Sequence, residues 1–274
     1  SHEEFTCRII EENTEITRIL EDCCEGLSKD VADVIRHESS NPLLSQLISS
    51  QLDADRFDYL LRDAYFTGTK YGEYDLERIL RTMRVHDGKQ LVIKESGVYA
   101  VENYIMARYH MYWQVYYHPV ARSYETVLHL LFKRLKDLGY ENADEHVISL
   151  FEPIISGKKI SLDAYFQLDE TSCGYGFHLL TKHPDPIVSD LAIRIRDRIL
   201  FEYQDSQPNE NRKIRNTLKK NGYDLHYYWA KDEVAQSPYV PYSGSGTGSI
   251  WVRMKDGSTK ELSNASNIVY SLIH

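Results

Sequence analysis

The segment between Ser50 and Gly68 constrains the fold most, because its apolar residues recur with the period of an α-helix. On a helical wheel at about 100° per residue, one arc collects the small and apolar side chains Ala54, Phe57, Leu60, Leu61 and Ala64. The opposite arc collects carboxylates, guanidiniums and a phenol, namely Asp55, Arg56, Tyr59, Arg62 and Asp63. The pattern predicts a helix with one face buried in a core. Periodicity alone favours a solvated polar face with i,i+4 ion pairs over a binding site.

Helical periodicity continues through most of the first 150 residues and predicts a mainly α fold. The predicted helices cover 3–24, 41–65, 98–117 and 123–138. Between them, the segments 81–85 and 90–94 predict a small β-hairpin, because the pair Asp87-Gly88 favours a tight turn.

The sequence after residue 150 has a mixed α and β pattern. Helical segments at 162–168, 187–199 and 209–220 alternate with strand-like segments at 225–230 and 250–255, and Asp256-Gly257 indicates a second hairpin. The segment 243–249 is rich in Gly and Ser and predicts a flexible loop. We therefore expect a helical domain over 1–150 and a smaller α+β domain over 151–274, with a boundary near Phe151.

The composition excludes several classes of protein. With 42% hydrophobic and 27% charged residues and a mean hydropathy of -0.48, the chain is neither disordered nor embedded in a membrane. A net charge of -9 argues against a protein whose main partner is nucleic acid, so a polyanionic ligand needs a local positive site. The four cysteines include no C-x-x-C pair, which favours a reduced, cytoplasmic protein.

The segment 99–117 predicts a helix with many aromatic residues, in which Arg108, Tyr112 and Tyr116 share one face at i, i+4 and i+8. Taken alone, aromatic residues at this spacing are more typical of a core than of a ligand site.

A later predicted helix carries five basic residues, Arg212, Lys213, Arg215, Lys219 and Lys220. They lie opposite Ile214 and Leu218, which is typical of an amphipathic surface helix, and a contact with nucleotide phosphate or nucleic acid is the alternative.

The segment from Asp53 to Asp63, with Gly68 beyond it, matches the pattern D-x-D-[KR]-x-D-Y-x-x-R-D. It resembles the fourth metal-ligand motif of HD-domain phosphohydrolases, in the dNTP triphosphohydrolase branch that includes the SAM-and-HD-domain enzymes. The resemblance implies an HD-type helical core. It makes Asp55 a metal ligand and Arg56 a contact of the triphosphate, and it places Tyr59 and Asp63 in the sugar pocket, where Asp63 accepts from the 3′-hydroxyl.

The same resemblance gives roles to three further residues. In that family an arginine holds phosphate and a tyrosine eight residues later packs on deoxyribose, as the spacing of Arg108 and Tyr116 allows. An arginine suits phosphate because its planar fork of donors matches the oxygens and stays charged. His2 and Glu3 correspond to a His-Glu pair that lies near the catalytic centre in that family. His2 would donate a proton to the leaving oxygen. The alternative for His2 is a surface residue near a chain end.

The sequence lacks the other ligands of an HD metal site, which are a first histidine and an adjacent His-Asp pair on a helix. His86-Asp87 lies in the predicted hairpin turn and is interpreted as a turn feature. Ser1 is not methionine, and apolar residues already follow a helical period behind it. We therefore expect that upstream sequence is missing and that these 274 residues alone are catalytically inactive.

The sequence thus predicts part of a metal-dependent dNTP triphosphohydrolase, which releases deoxynucleoside and triphosphate. The resemblance implies a divalent metal ion (Mg, Mn, Fe, Ni or Zn), a dNTP or related nucleotide as ligand, and a homodimer or homotetramer, with no membrane partner. Two alternatives stay open, namely an HD phosphohydrolase for another nucleotide phosphoester and a metal-free nucleotide-binding regulatory or scaffold protein.

Overall fold

The computed structural model of the chain describes residues 2–234, 239–241 and 248–273. It is mainly α-helical with one small sheet, which confirms the predicted fold class. The contacts divide it into two compact units, one of Ser1–Tyr116 with Ala235–His274 and one of Tyr117–Val234. Phe151, near which the sequence predicts a boundary, lies at neither junction.

The helices and strands are numbered in chain order. The helices are α1 (His2–Glu12), α2 (Thr14–Cys23), α3 (Leu27–Ile35), α4 (Pro42–Ile48), α5 (Ala54–Thr67), α6 (Leu76–Thr82), α7 (Val98–Met111), α8 (Pro119–Asp137), α9 (Glu145–Ile155), α10 (Leu162–Phe166), α11 (Glu170–Leu180), α12 (Pro186–Asp197), α13 (Pro208–Lys220), α14 (Leu225–Tyr228), α15 (Leu262–Ala265) and α16 (Asn267–Ile273). The strands are β1 (Met83–His86), β2 (Gln90–Lys94), β3 (Trp251–Arg253) and β4 (Thr259–Glu261). A π-helical segment, Tyr112–Tyr116, follows α7.

The sheet of the first unit joins two hairpins that are far apart in the sequence. Its order is β1-β2-β3-β4. Each predicted hairpin is antiparallel, and the central strands pair in parallel, with Ile93 opposite Val252. The C-terminal hairpin therefore belongs to the same unit as α5 and α7, although the sequence analysis places it in a separate α+β domain.

The core of the first unit fixes the position of α5 against α7. Phe57 and Leu60 on α5 are buried, as are Val101, Tyr104 and Ile105 on α7. The Phe57 and Tyr104 rings meet edge to face, 5.3 Å apart. The apolar arc of the predicted α5 helix is thus its packing face.

The second unit has its own apolar core, which is formed mainly by α8, α9, α11 and α12. Phe151 is 2% exposed and stacks on Phe177 at a centroid distance of 5.3 Å. Beside this core, Arg134 of α8 forms an ion pair with Asp185, the N-cap of α12, at 2.6 Å. This pairing holds the pKa of the Asp185 carboxyl below its usual range.

Several predicted segments are divided or changed in type by side-chain caps. Asn13 accepts hydrogen bonds from the amides of residues 15 and 16 and starts α2, so the predicted helix 3–24 is two helices. Asp53 likewise starts α5 and divides the predicted helix 41–65. The strand predicted at 225–230 is wrong, because Asp224 caps a short helix there. Most of the loop predicted at 243–249 lies outside the described residues.

The hairpin turn contains His86 and Asp87, as predicted. His86 ends β1, and Asp87 adopts a positive φ of 49° in the turn. Among the described residues, no helix is both long and apolar enough to span a membrane.

We expect Gly97→Ala to destabilise the fold by about 1–3 kcal/mol, because the site has no room for a methyl group. An added Cβ would lie 2.6 Å from Thr82 Cβ and 2.8 Å from Ile93 Cγ2, and both neighbours are buried. The matched control is Gly174→Ala within α11, where nothing lies within 4 Å, so the gain in helix propensity should stabilise by about 0.5–1 kcal/mol. Urea unfolding measures both changes, and equal effects of the two substitutions would contradict this prediction.

Candidate functional site

The start of α5 holds a buried carboxylate next to a cation. Asp53 is 3% exposed and accepts hydrogen bonds from the amides of Arg56, at 2.7 Å, and Ser50, at 2.9 Å. Arg56 Nε also donates to Asp53 Oδ2 at 3.1 Å. Burial raises the pKa of the Asp53 carboxyl, and the backbone hydrogen bond from Arg56 opposes that rise. Asp53 therefore fixes both the helix start and one edge of the Arg56 guanidinium.

One and two turns further along α5 lie Tyr59 and Asp63, which share a face at i and i+4. Tyr116 donates a hydrogen bond from its hydroxyl to Asp63 Oδ2 at 2.8 Å. The Tyr59 and Tyr116 rings meet edge to face at 6.2 Å. Burial, and next the hydrogen bond to Asp63, raise the pKa of the Tyr116 phenol well above its usual range. Tyr116 therefore stays a neutral donor at physiological pH.

Arg108 on α7 is a buried cation whose Nε has no acceptor among the described residues. The residue is 6% exposed, and nothing in the described part of the chain accepts a hydrogen bond from its Nε. Its guanidinium lies over the Tyr112 ring, 5.6 Å from the centroid. A buried, unpaired N–H is costly in a folded protein, so its presence needs an explanation. An anionic ligand would supply the missing acceptor.

The π-helical segment keeps Arg108, Tyr112 and Tyr116 close to one line. In a continuous α-helix, residues at i and i+8 diverge by about 80° around the axis. The wider turn of a π-helix advances each residue by a smaller angle, so Tyr116 falls back toward the face of Arg108. The Tyr112 and Tyr116 rings meet at 5.2 Å. Single π-helical turns of this kind are frequent at functional sites.

Groups on both helices, α5 and α7, shift the pKa of the Tyr59 phenol. Burial raises the pKa of its phenol to about 12, and the neighbouring Tyr112 phenol acts in the same direction. The cations Arg108 and Arg56 act against this rise. The structure therefore brings five of the predicted site residues together, namely Arg56, Tyr59, Asp63, Arg108 and Tyr116.

The other two predicted site residues differ from this group. Asp55 is exposed in the first turn of α5. Its charge contributes to the raised pKa of Asp53, after burial. His2 is exposed at the start of α1, a helix that packs on α2 and α3. The predicted role of His2 as a proton donor stays a prediction.

A complete metal site is not formed by the described part of the chain. No group of three or more His, Cys, Asp or Glu side chains in ranges 2–234, 239–241 and 248–273 could hold a metal ion. Catalytic zinc sites, for comparison, use about three protein ligands. Asp55 alone supplies a single ligand and therefore does not make a metal site.

Sequence reasoning missed three contributors to the site. Asp53 matches the first position of the motif, but its role as a buried cap for α5 was not assigned. The helical spacing puts Tyr112 on the face of Arg108 but gives it no role, although Tyr112 contacts Arg108 and Tyr116. Tyr104 is fully buried and donates to the Gln51 carbonyl at 2.9 Å, which ties α7 to the segment before α5. Its aromatic identity and helical position gave no signal that separates it from an ordinary core residue.

The comparison with known protein families assigns part of the chain directly. Residues 74–150 match the family described as the HD associated region. The chain is 43% identical over 283 residues to the uncharacterized protein YwfO of Bacillus subtilis, and the match covers 99% of this chain and 64% of YwfO. The chain thus spans less than two thirds of the length of this relative.

Two solved structures share the fold along nearly the whole chain. A phosphohydrolase from Bacteroides thetaiotaomicron matches with a TM-score of 0.74 and 27% identity, over 99% of this chain and 69% of that one. A hypothetical protein from Aquifex aeolicus matches with a TM-score of 0.69 and 27% identity, over 99% of this chain and 66% of that one. The chain is therefore similar to an HD associated region over 74–150 and, over nearly its whole length, to a protein described as a phosphohydrolase.

Proposed function

We propose that the complete protein containing this chain is a metal-dependent dNTP triphosphohydrolase, and that α5 and α7 carry its phosphate and sugar contacts. The observation that carries the proposal is the pairing of two features at one place. The Nε of buried Arg108 has no acceptor among the residues that the structure describes, and a tyrosine–carboxylate hydrogen bond joins Tyr116 to Asp63 nearby. The first feature suits an anion and the second suits a hydroxylated ring. A deoxynucleoside triphosphate has both groups.

Arg108 and Arg56 are the proposed phosphate contacts. Arginine binds phosphate oxygens through paired donors and does not lose its charge near neutral pH. Arg108 is buried, so water competes weakly with a ligand there. Arg56 is held by Asp53, which fixes its position and offsets part of its charge. We therefore expect Arg108 to contribute more binding energy than Arg56.

Asp63, Tyr59 and Tyr116 are the proposed sugar contacts. The Asp63 carboxylate accepts from the Tyr116 hydroxyl and has further acceptor positions for a 3′-hydroxyl. The Tyr116 ring provides a flat apolar surface against the deoxyribose. The 2′-hydroxyl of a ribose would contact this ring and find no hydrogen-bond partner there, which favours deoxyribose over ribose.

The proposal includes a divalent metal ion, a proton donor and an assembly. Asp55 would be one metal ligand, and the others would come from outside the described residues. His2 would protonate the leaving oxygen. We also propose a homodimer or homotetramer in the cytoplasm, which light scattering and fractionation would test.

A substrate panel on the complete protein tests the proposed function. The panel contains dNTPs, NTPs, nucleoside monophosphates and cyclic dinucleotides, each with added divalent metal. We expect dNTPs alone to be hydrolysed rapidly, with deoxynucleoside and inorganic triphosphate as the products. Release of monophosphate or pyrophosphate, or preferred cleavage of another phosphoester, would contradict the proposal.

A metal-free nucleotide-binding protein is the second candidate. It is favoured by one observation, which is that the described residues form no three-ligand metal site. Elemental analysis of the complete protein separates the candidates. Nucleotide binding without bound metal and without turnover would establish the second candidate.

A further inference from the structure

Helix α13 belongs to the second unit and has a surface that the proposed function does not use. Among its residues, Pro208–Lys220, none is buried. The helix packs on α14, and Ile214 and Leu218, which are half-buried, mark its packing face. The opposite face is exposed.

The exposed face of α13 is strongly cationic. It carries Arg212, Lys213, Arg215, Lys219 and Lys220, all exposed, against a single carboxylate on the helix, Glu210. On a helical wheel, Arg212, Arg215 and Lys219 form one row, and Lys213 and Lys220 form a second row. The exposed amides Asn209 and Asn216 lie between the two rows.

No carboxylate in the described part of the chain is paired with these cations. None of the five side chains forms an ion pair or a hydrogen bond with any residue in the described part of the chain. Lys219 and Lys220 lie in the last turn, where they stabilise the carbonyl end of the helix. That effect does not extend to Arg212, Lys213 and Arg215, which lie earlier. In a chain of net charge -9, the local concentration of unpaired cations points to an anionic partner.

We propose that α13 is a docking helix for duplex DNA and lies in the major groove with its cationic rows against the phosphates of both walls. A helix about 10–12 Å across fits a groove about 12 Å wide. The two rows match the two walls of the groove, and Asn209 and Asn216 face the base edges between them. The proposal does not depend on the proposed hydrolase function.

The same features disfavour other anionic partners. A membrane-binding helix buries an apolar face in lipid, whereas Ile214 and Leu218 face the protein. Duplex RNA has a major groove too narrow for a helix. A free nucleotide needs convergent donors, whereas these cations are spread over about 12 Å along the helix.

Fluorescence anisotropy of the complete protein with a labelled mixed-sequence DNA duplex tests the proposal, without nucleotide and over a range of KCl concentrations. Five phosphate contacts predict a slope of log K against log salt of about -4.5. We expect Arg212→Gln with Arg215→Gln to reduce this slope by about 2 and to weaken binding at 100 mM KCl about 10- to 100-fold. The matched control is Lys159→Gln with Lys182→Gln, which removes two exposed cations of the same unit. This control should change affinity about 3-fold or less, because α13 is intact.

Three outcomes would overturn the proposal. One is the absence of duplex binding at 50 mM KCl. Another is an equal loss of affinity in the control variant, which would assign the effect to net charge. The third is tighter binding to single-stranded DNA or to anionic lipid vesicles than to the duplex. Because no outcome involves turnover, a failure of the hydrolase proposal leaves this test unaffected.

Discussion

Replacing Arg108 with methionine is expected to stabilise the fold and to weaken nucleotide binding about 10- to 100-fold. The buried Nε has no acceptor, and an unsatisfied buried donor costs about 1–3 kcal/mol. Methionine fills a similar volume without that cost. The lost contact with the Tyr112 ring offsets about 0.5–1 kcal/mol of the gain. The free energy of unfolding should therefore rise by about 1 kcal/mol.

Arg108→Met should weaken nucleotide binding although it stabilises the fold. A charge-assisted hydrogen bond to phosphate contributes about 1.5–3 kcal/mol, which corresponds to roughly 10- to 100-fold in affinity. Calorimetric titration of the complete protein with a dNTP measures the binding, and urea unfolding measures the stability. A binding site that requires an unpaired cation explains why the protein retains a destabilising arginine.

Arg134→Met is the matched control for the stability change. Arg134 is a half-buried arginine whose guanidinium is satisfied by Asp185, at 2.6 Å, and by the Tyr227 hydroxyl, at 3.3 Å. Its removal leaves the Asp185 carboxylate without its partner and should cost about 1–3 kcal/mol. If Arg108→Met destabilised the protein by a similar amount, Arg108 would be a structural residue.

The α5 helix illustrates what the sequence can predict. Its apolar period identifies the packing face, because burial of Phe57 and Leu60 is the main force that positions it. The motif from Asp53 to Asp63 marks the polar face, because it resembles a known metal-ligand segment. Local signals of this kind depend on neighbours within a few residues, so they can be recognised in a single sequence.

The sheet and the π-helical segment illustrate what the sequence cannot predict. The parallel pairing of Val92 with Trp251 joins residues that are far apart in the chain, so no local pattern encodes it. The π-helical turn at Tyr112–Tyr116 has the same residue types as an α-helix. Its backbone geometry depends on tertiary contacts such as the Tyr116–Asp63 hydrogen bond. The boundary expected near Phe151 was inferred from a change in local pattern, which says nothing about long-range pairing.

Under the proposed function, Tyr116→Ala is expected to remove most of the preference for deoxyribose. The Tyr116 ring is held by its hydrogen bond to Asp63 and by edge-to-face contacts with Tyr59 and Tyr112. Exclusion of one added hydroxyl by such a surface gives about 100-fold discrimination. Loss of the ring should bring the ratio of kcat/KM for dNTP and NTP to within about 10-fold of unity, as measured on the complete protein.

Tyr116→Phe separates the ring from its hydroxyl. The ring remains, so discrimination should stay within about 5-fold of the wild-type value, while loss of the hydrogen bond to a charged acceptor costs roughly 1 kcal/mol of stability at this half-buried site. Because burial and Asp63 keep the Tyr116 phenol neutral, wild-type discrimination should be constant between about pH 6 and 9. Equal loss of discrimination in both variants would assign selectivity to the Tyr116–Asp63 hydrogen bond, since a phenylalanine ring would still exclude a 2′-hydroxyl by its bulk.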